Sequence, residues 1–132
     1  MAAFYSDSFQ DYGGRLVQVA WSEETWLYHL GKHPELKDFV HASVLIAEAV
    51  AGPSVVLDGA QPGIGQPTRV YYREIRRHQH FLWYVKVVCG TDREPSYVKT
   101  VFEESKPAYL VIQEKKYPEF KEIWRADNTT IY

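Results

Sequence analysis

His80-Phe81-Leu82-Trp83-Tyr84-Val85-Lys86-Val87-Val88-Cys89 is the stretch on which the fold turns. Its β-branched and aromatic residues read as one long strand. Phe81, Trp83, Val85, Val87 and Cys89 then point one way, and His80, Leu82, Tyr84, Lys86 and Val88 the other. The first row is expected to face the core. Upstream, Thr68 to Arg76 reads as a second long strand, separated from the first by the polar turn Arg77-His78-Gln79. Downstream, a hairpin turn from Gly90 to Pro95 leads into a third strand, Ser96 to Glu103. Farther on, Tyr109 to Ile112 is expected to extend the sheet, and Pro118 to open a short helix burying Phe120, Ile123 and Trp124.

Toward the N-terminus the period changes from 2 to 3.6. Gly52-Pro53 marks the change, followed by a short β-branched run from Ser54 to Leu57 and a loop rich in Gly, Pro and Gln from Asp58 to Pro67. Before it, Leu36, Phe39, Val40, Ser43, Ile46, Ala47 and Val50 form a helical stripe opposite Asp38, His41 and Leu45. A first helix is expected from Ser22, an N-cap with Glu23 and Glu24 in the first turn, to about Leu30. Gly31 suits its end and Pro34 the first turn of the second helix. Arg15 to Ala20 alternates as a short strand. The expected fold class is therefore α+β, two N-terminal helices followed by an antiparallel sheet.

At 132 residues the chain fits one domain, able to bury well over half of its unfolded surface. The expected organisation is a single domain over 1–132, with its core at about 15–113 and a C-terminal extension at 114–132. The aromatic share is high at 15%, which suits a sheet with an amphipathic or recognition face. The single cysteine, Cys89, cannot form an internal disulfide, so a reducing cytoplasm is the expected location. Residues 1–11 lack the basic and apolar regions of a signal peptide. Val44 to Leu57 is too short and polar to span a bilayer, so no membrane association is expected. Net charge is −2, but residues 69–99 hold 7 basic and 3 acidic side chains against 3 and 8 in residues 1–68. An anionic ligand would meet this basic island first, although a solvated strand face accounts for it equally well.

His29 and His33 have the i, i+4 spacing of a helical metal site, but Gly31 and Pro34 interrupt the helix and no third ligand stands near. No metal or other cofactor is expected. Histidine also serves as a proton shuttle near neutrality. On spacing alone, His29 reads as a helix-face residue at the core edge and His33 as a cap before Pro34. Arg69 and Arg73 project from one face of a strand, roughly 13 Å apart, where they could line a path for successive phosphates or stand solvated at an edge. Gly63-Ile64-Gly65 lacks the context of a dinucleotide fingerprint. Cys89 lies on the core register and reads as a buried, inert thiol.

Thr25-Trp26-Leu27-Tyr28-His29-Leu30-Gly31-Lys32-His33-Pro34-Glu35-Leu36, Arg69-Val70-Tyr71-Tyr72-Arg73, Tyr84-Val85-Lys86-Val87-Val88 and Val98-Lys99-Thr100-Val101-Phe102 occur in that order. Together they resemble the phage and mobile-element nuclease-like domains grouped with barnase, EndoU, colicin and RelE-type toxins, the BECR fold, over roughly residues 22 to 104. Those domains carry a W-x-x-H-I helix, an R-H-P-E segment, an R-x-x-Y-Y strand, a V-V-V strand and a V-x-T-A-Y strand. The present chain departs from the pattern in having Lys32 before His33, a long Asp58 to Pro67 loop and Val101 after Thr100.

The resemblance implies two helices packed on one face of a four-stranded, or slightly larger, antiparallel sheet, and metal-independent endoribonuclease activity, as in a toxin of a toxin–antitoxin or phage-derived system, with RNA and a small antitoxin-type protein as partners. It puts His29, Arg69, Tyr72 and Thr100 in the catalytic set, His29 moving the proton, Arg69 gripping phosphate, and Thr100 and Tyr72 positioning it. His33, Arg73, Lys86 and Lys99 would bind substrate. Two other readings stand beside it. One is a non-catalytic domain of immunity or degenerate-toxin type that binds a protein through its aromatic sheet. The other is an RNA-binding domain that stacks bases without cleaving them.

Overall fold

A computed structural model describes residues 4–60, 66–112, 120–129 and 131. Seven strands form one sheet: β1 (Phe4–Gln10), β2 (Leu16–Ser22), β3 (Val55–Ala60), β4 (Pro67–His78), β5 (Phe81–Gly90), β6 (Ser96–Pro107) and β7 (Phe120–Arg125). Their order across the sheet is β1-β2-β6-β5-β4-β3-β7. All neighbours are antiparallel except β2 and β6, which run parallel and pair only at Val17 with Ser96 and Gln18 with Tyr97. The α+β class and the two helices match the sequence reading, but the sheet is larger than four strands and is mixed.

The first helix, α1 (Glu23–Lys32), starts where expected: Ser22 Oγ accepts from the Thr25 N–H at 3.2 Å. It runs on through Gly31, and the His33 N–H closes the last turn on His29 O at 2.8 Å. Pro34 opens only a 3-10 turn, Pro34–Leu36. Lys37 then takes φ 64°, and Asp38 caps the second helix, α2 (Phe39–Ala51), by accepting from the His41 N–H at 2.7 Å. This later start rotates the expected stripe. Ala42, Ser43, Leu45, Ile46, Ala49 and Val50 are buried, whereas Val40 is 76% exposed and Val44 also faces out. The small Ala42 and Ala49 are fully buried in the helix-side core.

Both faces of the central strands are covered. On the helix side, Val17, Val19, Trp21, Val56, Tyr71, Val85, Val87, Cys89, Val98 and Val101 pack against Trp26, Leu36, Ile46 and Val50. On the opposite side, Val55, Leu57, Val70, Tyr72, Leu82 and Tyr84 pack under Ala108, Val111, Ile112, Phe120 and Ile131. The single core row expected for β5 is thus corrected: Leu82 and Tyr84 belong to a second core. Two further expectations are overturned. Ala108–Leu110 is a 3-10 turn, not added strand, and Phe120 to Trp124 lies in β7, not in a helix. Since β7 pairs with β3, the segment read as an extension contributes to the sheet. Pro118 and Gly63 to Gly65 lie outside the described residues. Among the described residues, no helix is long and apolar enough to cross a membrane.

One buried carboxylate ties the β1–β2 turn to the sheet. Asp11, with its side chain fully inaccessible, accepts from Tyr71 O–H (2.7 Å), the Gly13 and Arg15 N–H groups (both 2.9 Å) and Arg15 Nη1 (3.0 Å). Burial alone would raise its pKa, but the Tyr71, Arg15 and Gly13 donors outweigh burial and hold it below the usual carboxylate range. A depressed folded-state value contributes stability that is complete above the unfolded value near 3.8 and is lost as pH falls through the folded value. Asp11→Asn is expected to cost about 1–3 kcal/mol in denaturant unfolding at neutral pH. The loss of stability below about pH 4 should be shallower in that variant than in the wild type.

Candidate functional site

The site forms where β6 parts from β2. Past Tyr97, no strand among the described residues pairs with β6 on that side; the Trp21 indole of β2 donates to Val98 O at 3.3 Å, and the 3-10 turn takes over. Glu35 Oε2 accepts from the Glu103 backbone N–H at 3.2 Å, so a side chain satisfies a donor that a neighbouring strand would otherwise take. The same Glu35 oxygen lies 3.6 Å from His33 Nδ1. His33-Pro34-Glu35 therefore works as a unit: proline starts the turn, glutamate pins it to β6, and the imidazole is held against the strand.

His33 stacks on Phe102 of β6 with ring centroids 5.1 Å apart and planes inclined by 15°. Lys86 Nζ lies 5.8 Å from the centroid of that same ring and 5.4 Å from that of Tyr72. The register explains this row, since Lys86 pairs with Tyr72 on one side and Phe102 on the other. Strand alternation puts all three, with Thr100 two residues before Phe102, on the face away from the helices. His29, one turn before His33 on α1, stacks on Trp21 with centroids 4.4 Å apart. Burial lowers its pKa from the ordinary histidine value, and the nearby His33 and Lys32 lower it further.

The expected set is thus divided. His29 and His33 stand together at the β6 edge, and Lys86 and Thr100 lie on the adjoining sheet face. Tyr72 is in this row, but it is fully buried in the second core and supports Lys86. Arg69 and Arg73 share a face as their spacing implies, but it is the helix side of β4, three strands from β2. Arg69 Nη2 lies 3.5 Å from Asp58 Oδ2, with only 14% of its side chain exposed. Its Nε is buried with no hydrogen-bond partner. Arg73 Nη1 donates to Gly52 O (3.0 Å) and Glu48 O (3.3 Å), serving the C-terminal carbonyls of α2. Lys99, at the irregularity between Val88 and Cys89, donates to Gln66 Oε1 at 3.1 Å. Neither arginine is placed to hold the phosphate that His29 would act on.

Cys89 is buried, and burial pushes its thiol up to about 12, as its core register implies. Glu35, Phe102 and Trp21 received no role from the sequence. Only Glu35 carried a signal, its place in the His-Pro-Glu segment; the other two needed the register.

The pair of histidines makes a direct prediction. In an NMR titration, the His29 ring should titrate below the ordinary value of 6.5. Replacing His33 or Lys32 with Gln removes a neighbouring positive charge and should move that midpoint upward.

Comparison of the chain with protein-family models, with curated proteins and with solved structures finds no match.

Proposed function

We propose that this domain is a metal-independent endoribonuclease that works at the exposed edge of β6, as a cytoplasmic toxin-type module held in check by a small protein partner. The observation that carries the reading is the pairing of His29, whose pKa burial lowers, with a His33 that lies near Glu35 and stacks on Phe102, the ring that Lys86 also approaches. Two titratable groups in contrasting environments are the usual basis for dividing acid and base duties. His29 takes the proton of a ribose 2′-hydroxyl, and that oxygen attacks the adjacent phosphorus. The 5′-oxygen leaves with a proton delivered by His33, whose Nδ1 side is held by Glu35. Lys86, which approaches the Phe102 ring that His33 stacks on, offsets charge gathering on the phosphoryl oxygens, while Thr100, on the helix-free face, is given no part in the step. The products are a 2′,3′-cyclic phosphate and a free 5′-hydroxyl. In this version of the site, Tyr72 acts through Lys86, and Arg69 and Arg73 are structural.

The test is cleavage of end-labelled single-stranded RNA in EDTA. Wild type should cut and leave cyclic phosphate ends, and His29→Ala or His33→Ala should each slow cutting by about 10²–10⁴-fold. Glu35→Gln should slow it less than either, because it only positions His33. RNA bound without cleavage would leave a binding domain and sink the catalytic reading. Cleavage that chelator abolishes, or that survives both histidine changes, would also sink it.

A further inference from the structure

The outer edge of the sheet carries a second feature, independent of the residues used above. β1 is the first strand in the sheet order, so among the described residues one of its sides has no strand neighbour. Its helix-facing residues Tyr5 and Phe9 pack on the core, and Asp7 lies between them in the same row. Beside this strand, α2 presents the side that its rotated register leaves uncovered. Together β1 and α2 bound an open groove of about 490 Å³, lined by Asp7, Phe9, Phe39, Val40, Ser43 and Val44 among others. Ser43 Oγ is buried there with no hydrogen-bond partner. The Asp7 carboxylate accepts from the Ser8 N–H at 2.8 Å, which holds it over the strand.

An exposed strand edge next to a helix, with apolar side chains between them, has the form that captures an extended peptide by adding a strand. We infer that β1 and α2 bind an extended segment of a partner protein, paired along β1 and carrying a Lys or Arg opposite Asp7 between two aliphatic residues. Charge selects this occupant. Among the described residues, Asp7 is the only charged one lining the groove, and it stands at the middle of a seven-residue strand. A second copy of the chain pairing antiparallel along the full strand would set Asp7 against Asp7, and like charges directly opposite are destabilising. A basic residue at that position turns the repulsion into an ion pair, while its aliphatic neighbours two residues away meet Val40, Val44 and Phe9.

A fluorescein-labelled Thr-Val-Thr-Lys-Thr-Val-Thr peptide tests this by anisotropy. Saturable binding is expected, weakened about fivefold when the central Lys is exchanged for Glu. Asp7→Lys should reverse that preference, and Val44→Asp should weaken both peptides. Both substitutions are at exposed positions, and an unchanged thermal midpoint would show that the variants fold. Alternate N-methylation of the peptide backbone should abolish binding, because it removes the donors for the added strand. The inference is overturned if binding does not saturate, if N-methylation leaves it intact, or if the Lys and Glu peptides bind equally. A dimer in sedimentation that Val44→Asp dissolves would assign the groove to a second copy and overturn it as well.

Discussion

The hydrogen bond from the Glu103 backbone N–H to the Glu35 carboxylate is the contact on which the arrangement of the site depends. Strand β6 keeps β2 beside it for two residue pairs only, and beyond them its edge would present unpaired donors and acceptors. A glutamate three residues beyond the end of α1 meets that edge and brings the helix end with it. His33 is then laid on Phe102, and His29 sits against Trp21 just above the point where the two strands part. Had β2 followed β6 to its end, the 3-10 turn would have no edge to bind.

The second constraint is that the sheet is buried on two sides but not over the same strands. Helices α1 and α2 cover β1, β2 and the middle strands on one face, while the C-terminal residues cover β3 to β5 on the other. The helix-free face near β6 is left for Lys86, Phe102 and Thr100. This unequal coverage accounts for the fates of the two tyrosines of β4. Tyr71 faces the helices and donates to the buried Asp11, and Tyr72 faces the second core under Lys86. Neighbours in sequence, they are assigned to different cores by the two-residue period alone.

Charge is disposed differently at the two ends of this arrangement. Asp11 stays ionised inside the protein because four donors converge on it, so the cost of burial is met by geometry. For His29, partly buried against Trp21, burial instead lowers the pKa. The first group serves stability, and the second is the one to which the proposed cleavage gives the proton transfer. At the outer edge, the exposed Asp7 lines the groove between β1 and α2, where the inferred partner strand would meet it.

The alternation of β5, the capping of α1 by Ser22 and the buried register of Cys89 could all be read from the sequence, because each depends on residues within one turn or one strand. The helical face of α2 could not be read as closely: a 3-10 turn and a left-handed Lys37 shifted its start, and one residue of shift moves a helical stripe by 100°. The terminal strands β1 and β7 were missed for a related reason. Their residues alternate weakly, and what makes them strands is an available neighbour in β2 and β3. The sequence by itself determined the class of fold, the two helices and the chemical types offered near β6. Tertiary structure alone decided which of those residues meet, since strand order and the parting of β2 from β6 depend on contacts between segments far apart in the chain. That is why His33 and Lys86 share one aromatic ring while Arg69, equally prominent in sequence, lies across three strands beside Asp58.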